Sequence, residues 1–171
     1  MHAQERRQEI LKLLHQSAHP ISASALAERF SVTRQVIVGD IALLRSSGAD
    51  ILATPRGYCI QGAAPGLVRR VAVRHTPHRM ETELNIMVDN GCTVVDVIVE
   101  HPLYGQLTGS LQLSTRAEVE QFMARSLTTQ PLSALTGGIH LHTLLCPDEA
   151  AFERTKNALR ALGLLLEESG N

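Results

Sequence analysis

Two histidines separated by one residue, His140 and His142, are the pattern in this chain that most directly suggests chemistry. They lie in residues 137–143, Gly-Gly-Ile-His-Leu-His-Thr, where the apolar residues favour a β-strand. Side chains alternate between the two faces of a strand, so both imidazoles point the same way. They form either a metal-chelating pair or an ordinary polar strand face, and their spacing alone does not decide between these.

Further candidate ligands come earlier in the chain. His75 ends a predicted strand, and Glu81 and Glu83 begin the helix that follows it. Because a strand end and the start of the next helix are neighbours in space, these residues can join His140 and His142 in a set of three imidazoles and one carboxylate. Such a set suits Zn²⁺, Ni²⁺, Co²⁺ or Fe²⁺, whereas Ca²⁺ and Mg²⁺ prefer oxygen ligands. The pattern leaves Glu81 and Glu83 as equal candidates.

The composition is that of a globular protein with no membrane span. Of 171 residues, 44% are hydrophobic and 19% are charged, which excludes general disorder. Residues 1–62 carry a net charge of +2 and residues 63–171 carry −3, so the basic bias of the first part is mild. No apolar run approaches the roughly 18–20 residues of a membrane helix. The polar start of the chain and the isolated Cys59, Cys92 and Cys146 indicate reduced thiols in a cytoplasmic protein.

Residues 1–62 predict three helices followed by a β-hairpin. The second helix begins after Ser22 and is expected to turn Ala25, Leu26 and Phe30 inward. The third begins after Thr33, ends near residues 47–48, and leads into two short strands joined by the turn 54–57. This order is typical of a winged helix-turn-helix.

A winged helix-turn-helix suggests binding to double-stranded DNA. The N-terminal end of the third helix can enter the major groove, where Thr33, Arg34 and Gln35 would reach base edges or phosphates. Arg56, at the tip of the hairpin, would reach a neighbouring phosphate or the minor groove. The alternative is a small helical scaffold that binds a protein instead.

Residues 62–66 read as a linker, and residues 67–171 alternate between strands and helices. This alternation predicts a two-layer α/β sandwich, so the whole chain is α+β with domains at 1–62 and 67–171. Ser114 is the expected cap of the second helix in this domain, and 164–166 could close the sheet. The strands are predicted at 67–74, 93–99, 106–113 and 139–145, and the helices at 80–90, 116–126 and 149–162.

With these motifs in place, the chain resembles the niacin-responsive transcriptional repressors, which join a winged helix to a 3H domain named for its histidines. The matching segments occur in the expected order over nearly the whole chain. The segments of the DNA-binding half are shared by many regulators, whereas those of the second half are much more specific to this family. They are 34–41 (RQVIVGDI), 56–58 (RGY), 74–76 (RHT), 83–84 (EL), 97–105 (VIVEHPLYG) and 138–143 (GIHLHT).

The resemblance implies a homodimeric repressor of NAD-biosynthesis or niacin-uptake genes, with nicotinic acid as co-repressor. It also implies one divalent transition metal per chain, nickel, zinc or iron, held by His75, Glu83, His140 and His142. The resemblance thereby favours Glu83 over Glu81. The sequence departs from the family at Gly39, where relatives usually carry a polar or basic side chain. This glycine removes one potential DNA contact.

A pocket for the effector is expected near the metal. Nicotinate is a small anion with a pyridine nitrogen, so Arg74 or Arg79 could offset its charge. His101 matches the third histidine motif and, with Tyr104, is expected near the pocket and outside the metal ligands. The alternative for His101 is a buried, hydrogen-bonded histidine at a strand end. His78 has no assigned role.

Two other functions are compatible with these residues. The metal could be purely structural, with four protein ligands and a different small-molecule effector. The protein could instead be a metal-dependent hydrolase, but a second domain of about 100 residues is far smaller than the roughly 250 of a barrel hydrolase. The fused DNA-binding domain also favours regulation, so we expect that the protein is not an enzyme.

Overall fold

The structure, a computed structural model, describes residues 2–62 and 66–167. Contacts between residues divide the chain into two compact units, Met1–Ala63 and Ala64–Asn171. Most of the predicted linker, residues 63–65, lies outside the described residues.

The N-terminal unit contains three helices followed by a β-hairpin. The hydroxyls of Ser22 and Thr33 cap the second and third helices by accepting hydrogen bonds from backbone amides in the first turn. The element order confirms the predicted winged helix-turn-helix. The elements are α1 Ala3–Gln16, α2 Ala23–Phe30, α3 Arg34–Ser46, β1 Ile51–Thr54 and β2 Gly57–Ile60.

The buried side of α2 differs from the prediction at one position. Leu26 is buried and Phe30 is half-buried, as expected, but Ala25 is exposed. Ala23 and Ala27 are buried in its place. Because the helix begins directly after the Ser22 cap, positions 23, 26, 27 and 30 share one face, and position 25 is turned away from it.

A buried carboxylate ties α3 to α1. Asp40 of α3 is only 4% exposed, and both its oxygens accept hydrogen bonds from Arg6 of α1. The Arg6 Nε–Asp40 Oδ2 distance is 2.6 Å, and Arg7 Nη1 lies 3.5 Å from the other oxygen. Its hydrogen bond to Asp40 raises the pKa of Arg6. This two-pronged contact fixes the direction of α3 relative to α1.

Within residues 66–167, the C-terminal unit is a four-stranded antiparallel sheet with three α-helices, which confirms the predicted two-layer architecture. The strand order is β3-β6-β4-β5. No helix in the described part of the chain is long and apolar enough to cross a bilayer. The elements are β3 Leu67–Arg74, α4 Met80–Asp89, β4 Thr93–His101, β5 Gly105–Leu113, α5 Arg116–Ser126, β6 Ile139–Cys146 and α6 Glu149–Ala161, with short 3-10 helices at Pro77–Arg79 and Leu132–Thr136.

One face of this sheet packs against the helices. Val71, Val94 and Leu144, from three different strands, form a single core with Leu84 of α4 and Leu159 of α6. The other face carries side chains that remain exposed, and we call it the open face. Alternation along β6 therefore places His140 and His142 on the helix face and Ile139 and Leu141 on the open face.

Two local predictions in this unit were wrong in detail. Thr115, and not Ser114, caps α5, because its hydroxyl accepts from the amide of Glu118. The segment 164–166 contributes only one bridge, between Leu165 and Val73, to the edge of the sheet. Arg74 donates its amide to the carbonyl of Leu164, and Leu166 donates its amide to the carbonyl of Ala72, so the segment lies along the outer edge of β3.

Two of the three cysteines pack in the core of the C-terminal unit. Cys92 and Cys146 are both buried, with their Sγ atoms 2.9 Å apart. Burial raises the pKa of Cys146 to about 12, so its thiol is neutral near pH 7. All three cysteines are free, as expected for residues that pack as small hydrophobes.

Replacing Asp40 with asparagine tests the tie between α1 and α3. We expect Asp40→Asn to lower the free energy of unfolding by about 1–3 kcal/mol, since it leaves Arg6 without its charged partner in a partly buried contact. Urea denaturation followed by far-UV circular dichroism measures this. The exposed Asp50→Asn is the matched control, and equal stability losses in both variants would contradict a specific role for Asp40.

Candidate metal centre and nucleic-acid interface

A buried carboxylate, Glu83, is surrounded by three imidazoles. Nε2 of His140 lies 3.1 Å from Oε1 of Glu83, and Nε2 of His142 lies 2.9 Å from the same oxygen. Nε2 of His75 contacts the other oxygen, Oε2. Glu83 is 0% exposed, whereas Glu81 is at the surface. The four residues favoured by the family resemblance are thus brought together in space.

Three of the four side chains form one compact group around Glu83, and His142 lies beside it. Ligand atoms of His75, Glu83 and His140 all lie within 4.8 Å of one another. The ring of His140 is 4.9 Å from the ring of His75 and 4.9 Å from the ring of His142, and both pairs are perpendicular. His142 joins the cluster through its contact with Glu83.

The fold places each member by a simple local feature. Strand β6 presents His140 and His142 on its helix face, opposite Val73 and Val71 of β3. His75 follows the last residue of β3, and Glu83 lies in the first turn of α4, where the helix dipole favours a carboxylate. The sheet register and the strand-to-helix connection together close the cluster.

Gly138 allows β6 to approach His75 closely. Its φ is +91°, a conformation that favours glycine, and a Cβ at this position would lie 2.2 Å from the carbonyl oxygen of His75. Any other residue would push β6 away from the end of β3. The glycine is therefore required by the position of the cluster.

Each imidazole is held through its second ring nitrogen. In all three histidines, Nδ1 lies at hydrogen-bond distance from a backbone carbonyl oxygen. A carbonyl oxygen only accepts, so Nδ1 carries the proton and Nε2 is left with its lone pair directed at the cluster. The carbonyls are those of Thr76 for His75 at 2.8 Å, Gly138 for His140 at 2.9 Å and Asp96 for His142 at 2.7 Å.

A positive charge at the centre of the cluster would stabilise the three imidazoles and the carboxylate of Glu83. Nε2 of His142 is buried and has no hydrogen-bond partner among the described residues, because its approach to Oε1 of Glu83 has the wrong geometry for a hydrogen bond. Lone pairs of imidazoles facing an ionised carboxylate repel one another in a medium of low dielectric. A metal ion or bound protons would relieve that repulsion.

The titration of the cluster reflects the same interactions. Burial by itself raises the pKa of Glu83, but the imidazoles of His142, His140 and His75 outweigh it and hold that pKa well below its ordinary value. Burial lowers the pKa of His75 and of His142, but Glu83 more than offsets this, so both pKa values are raised. Glu83 is therefore an anion throughout the neutral range.

The donor set fits a transition-metal ion. Three imidazole nitrogens and one carboxylate oxygen match the preferences of Zn²⁺, Ni²⁺ or Fe²⁺. A tetrahedral ion about 2.0–2.2 Å from each donor would hold neighbouring donors roughly 3.3 Å apart. The distances of 2.9 and 3.1 Å from Glu83 Oε1 to the two strand imidazoles are close to this value. The ligand atoms that all lie within 4.8 Å of one another are those of His75, Glu83 and His140, so His142 must move closer to this group to become a fourth donor.

The candidate DNA contacts lie at one end of α3 and on the hairpin. Thr33, Arg34 and Gln35 are all exposed, and the hydroxyl of Thr33 also caps the helix. Arg56 lies in the turn between β1 and β2 and is half-buried. Gly39, farther along α3, is exposed, and an added Cβ would meet no atom within 4 Å. The helix thus has room for a larger side chain at this position.

Of the four residues expected near the effector, His101 lines a described cavity of the C-terminal unit, and its ring lies 5.1 Å from the ring of Tyr104. A cavity of about 700 Å³ opens on the open face, and His101 lines it beside Glu100 and Leu141. Arg74, Arg79 and Tyr104 are absent from its lining, and Arg79 donates to the carbonyl of Leu162. Tyr104 is exposed at the tip of the β4–β5 hairpin, and Arg74 is exposed at the end of β3.

His101 and His78 have local partners. Nδ1 of His101 accepts hydrogen bonds from the amides of Leu103 and Tyr104, at 3.1 and 3.3 Å, so the ring organises the turn of the β4–β5 hairpin. His78 is exposed and its ring contacts the hydroxyl of Thr76. Neither histidine touches the cluster around Glu83.

Sequence reasoning missed the residues that orient the site. The carbonyls that fix the three imidazoles leave no signal in side-chain identity, because every residue has one. Gly138 did leave a signal, since two glycines precede the His-x-His pair. The contact between Asp40 and Arg6 joins residues 34 positions apart, and no local pattern pairs them.

Comparison with known proteins agrees with both halves of this description. The model of the 3H domain matches residues 68–168, and an HTH domain model matches residues 6–59. The probable transcription repressor NiaR of Thermotoga maritima is 48% identical over 167 residues, covering 96% of this chain and 95% of the relative. The transcription repressor NadR of Bacillus subtilis is 42% identical over 169 residues, covering 95% and 94%.

The chain belongs to the NiaR-like repressor family, with an HTH domain followed by a 3H domain. Its 3H domain contains the whole cluster around Glu83, since residues 75, 83, 140 and 142 all fall inside the matched region. Its HTH match contains Thr33, Arg34, Gln35 and Arg56. Membership supports a DNA-binding transcription repressor and a regulatory role for the protein.

Removing the negative charge at the centre of the 3H domain should abolish tight metal binding. We expect Glu83→Gln to weaken the affinity for Ni²⁺ or Zn²⁺ by more than about 100-fold, because loss of a residue that merely supports a ligand already costs about 10- to 100-fold. Competition with a chromophoric chelator measures the affinity. Glu81→Gln, two residues away and exposed, is the matched control and should bind as the wild type does. Equal affinities in the two variants would exclude Glu83 as a ligand.

Metal affinity should also fall with decreasing pH. A proton on Nε2 of His75 or His142 competes with the ion, and both pKa values are raised, so the competition begins at a higher pH than for a free imidazole. Below those pKa values the affinity should decrease by up to about tenfold per pH unit for each protonated histidine. Calorimetry in buffers of different ionisation enthalpy counts the protons released. Binding that is independent of pH and releases no protons would contradict this arrangement.

Proposed function

We propose that this protein represses genes of NAD biosynthesis or niacin uptake, and that its 3H domain senses nicotinic acid at a centre containing one divalent transition metal. The observation that carries the proposal is the convergence of three Nε2 atoms on the buried carboxylate of Glu83 in a chain that also has an HTH domain. The names of the two relatives, a probable NiaR repressor and a NadR repressor, support the same role.

His75, Glu83, His140 and His142 would hold the metal. When bound, the ion supplies a Lewis-acidic position that the carboxylate or ring nitrogen of nicotinate can occupy. The protein keeps the four donors oriented through the carbonyl contacts of the histidines and excludes water by burial. Exposed Arg74, next to His75, is the nearest cation along the chain to attract an anionic ligand.

Operator binding is assigned to α3 and the hairpin. The exposed side chains of Arg34 and Gln35 are suited to base edges, since arginine pairs with guanine and glutamine with adenine in the major groove. Thr33 and Arg56 would contact phosphates. A homodimer places two such helices about 34 Å apart, or at a multiple of that spacing, which matches successive turns of DNA.

Nicotinate can regulate the repressor only if it binds the conformation that binds DNA with a different affinity than it binds the other conformations. By linkage, operator DNA must then tighten nicotinate binding by the same factor by which nicotinate tightens DNA binding. No catalytic step is part of this function.

One observation also favours a second candidate, a purely structural metal with a different effector. The side chains of the four ligands are nearly inaccessible, which is typical of closed four-coordinate sites. Removal of the metal separates the two candidates. Unfolding of the 3H domain on chelation indicates a structural ion, and a folded domain that no longer responds to ligand indicates the sensor.

Operator affinity under four conditions tests the proposal. The operator is first selected from randomised duplex DNA, and its affinity is then measured with and without nicotinate, in metal-replete and chelated protein. We expect nicotinate to tighten binding by about 5- to 150-fold in metal-replete protein and to have no effect after chelation.

The control for this experiment is nicotinamide, which lacks the negative charge of nicotinate. A double variant with Arg34→Ala and Gln35→Ala should lose operator binding and still bind the metal. This result would show that the DNA contacts and the metal site are separate. Identical operator affinities in all four conditions would reject the sensor.

A further inference from the structure

The open face of the 3H sheet exposes apolar side chains between two rows that each carry one cation and one anion. Val68, Ile139 and Leu141 are large hydrophobic residues that are 60%, 42% and 36% exposed. Leu166, also exposed, lies over the edge of the same face, and the cavity of about 700 Å³ opens between Leu141 and Leu166. Exposed apolar side chains grouped on one face of a folded domain mark a site of interaction. Within this group, the pair Arg70 and Thr143 separates Val68 from Leu141.

The register of the three strands β3, β6 and β4 arranges this face in rows. In the middle row, Ala72 pairs with Leu141, which pairs with Ile98, so the row is entirely apolar. The rows on either side each carry a cation on β3 and an anion on β4. One outer row is Arg70–Thr143–Asp96. The other begins with Arg74–Ile139, and Glu100 completes it, because the pairing of Ile98 with Leu141 places Glu100 opposite Ile139 two residues farther along.

The charges of the outer rows are available to a partner. Arg74 and Glu100 are both exposed and have no ion-pair partner in residues 2–62 and 66–167. Arg70 is likewise exposed. Asp96 is half-buried, and one of its oxygens accepts from the amide of Thr143, which leaves the other oxygen for a second contact.

We propose that two copies of this chain pack through their open faces, about a twofold axis that runs parallel to β6 near Leu141. Rotation about this axis leaves each row at the same height along β6. It also moves β3 to the side of β6 that β4 occupies in the first copy, so β3 of one copy lies over β4 of the other. Arg70 then faces Asp96 of the second copy, and Arg74 faces Glu100. The inference rests on the homodimer of the proposed function and names its surface.

The charge pattern favours a second copy of this chain as the partner, and it favours the twofold axis along β6. A twofold axis perpendicular to the strands would place Arg70 over Arg74 and Asp96 over Glu100, and such like-charge contacts are costly. Only the axis along β6 makes the face complementary to itself, as a twofold interface requires. A foreign partner would not require opposite charges at matching levels on both sides of one strand. Two sheets packed face to face lie about 10 Å apart, which interdigitating leucines and arginine side chains can span.

Oligomeric state measured by sedimentation velocity of the full-length, metal-replete protein tests the inference. Leu141→Glu should weaken the dimer by more than about 100-fold, since it places two carboxylates in the apolar middle row. The matched control is Leu127→Glu, because Leu127 is 85% exposed and lies outside the sheet. It should remain as dimeric as the wild type.

Charge reversal tests the axis without altering the apolar row. Arg74→Glu and Glu100→Arg should each weaken the dimer by about tenfold or more, and the double variant should recover most of the loss because the pairs are restored with exchanged signs. Arg116→Glu, which breaks an exposed ion pair with Asp89 on another surface, should leave the dimer unchanged. Circular dichroism verifies that each variant is folded.

A wild-type monomer, or a dimer that survives Leu141→Glu, would overturn the inference. Weakening by both single reversals without recovery in the double variant would overturn the axis along β6. Neither measurement contains nicotinate or DNA, so the dimer surface is decided separately from the sensor. A protein that dimerises through this face and yet ignores nicotinate would reject only the proposed function.

Discussion

The C-terminal unit depends on one interaction, the burial of the Glu83 carboxylate among three imidazoles. A buried anion is costly unless it is paired, and here the pairing comes from residues on a strand end, a helix and a second strand. Because each imidazole is also fixed to a backbone carbonyl, the cluster constrains the backbone at three places. The positions of β3, α4 and β6 are therefore linked through a single group of polar atoms in an otherwise apolar core.

Strand β6 gives this cluster a direct connection to the opposite surface of the domain. His140 and His142 point toward the helices, and Ile139 and Leu141, between and beside them, point to the open face. A shift of β6 by a few tenths of an ångström at the imidazoles is thus also a shift of the apolar row. If two copies pair through that row and the cluster senses a ligand, strand β6 belongs to both sites, and the two sites need no long path between them.

In the N-terminal unit, the packing of the helices leaves one end of α3 exposed, where it can contact DNA. Its core fixes the three helices, and the contact between Asp40 and Arg6 fixes α3 on α1 at a partly exposed position. The candidate contact residues are left outside the core, where their substitution changes recognition with little effect on folding. This division allows the contact residues to change without loss of the fold.

The sequence by itself determined the elements and pointed to the three histidines of the cluster. Helical and strand periodicity placed nearly every element within a few residues, and strand alternation placed His140 and His142 on one face, because these patterns are local. It left Glu81 and Glu83 tied until the family resemblance favoured one, and it missed Thr115 as a cap and Ala23 and Ala27 as buried residues, since each depends on where a helix begins. Tertiary structure alone decided the strand order, the carbonyl that orients each imidazole, the contact between Asp40 and Arg6, and the rows of the open face. These features join residues far apart in the chain, and their pairing follows from the packing of whole elements, which no local pattern records.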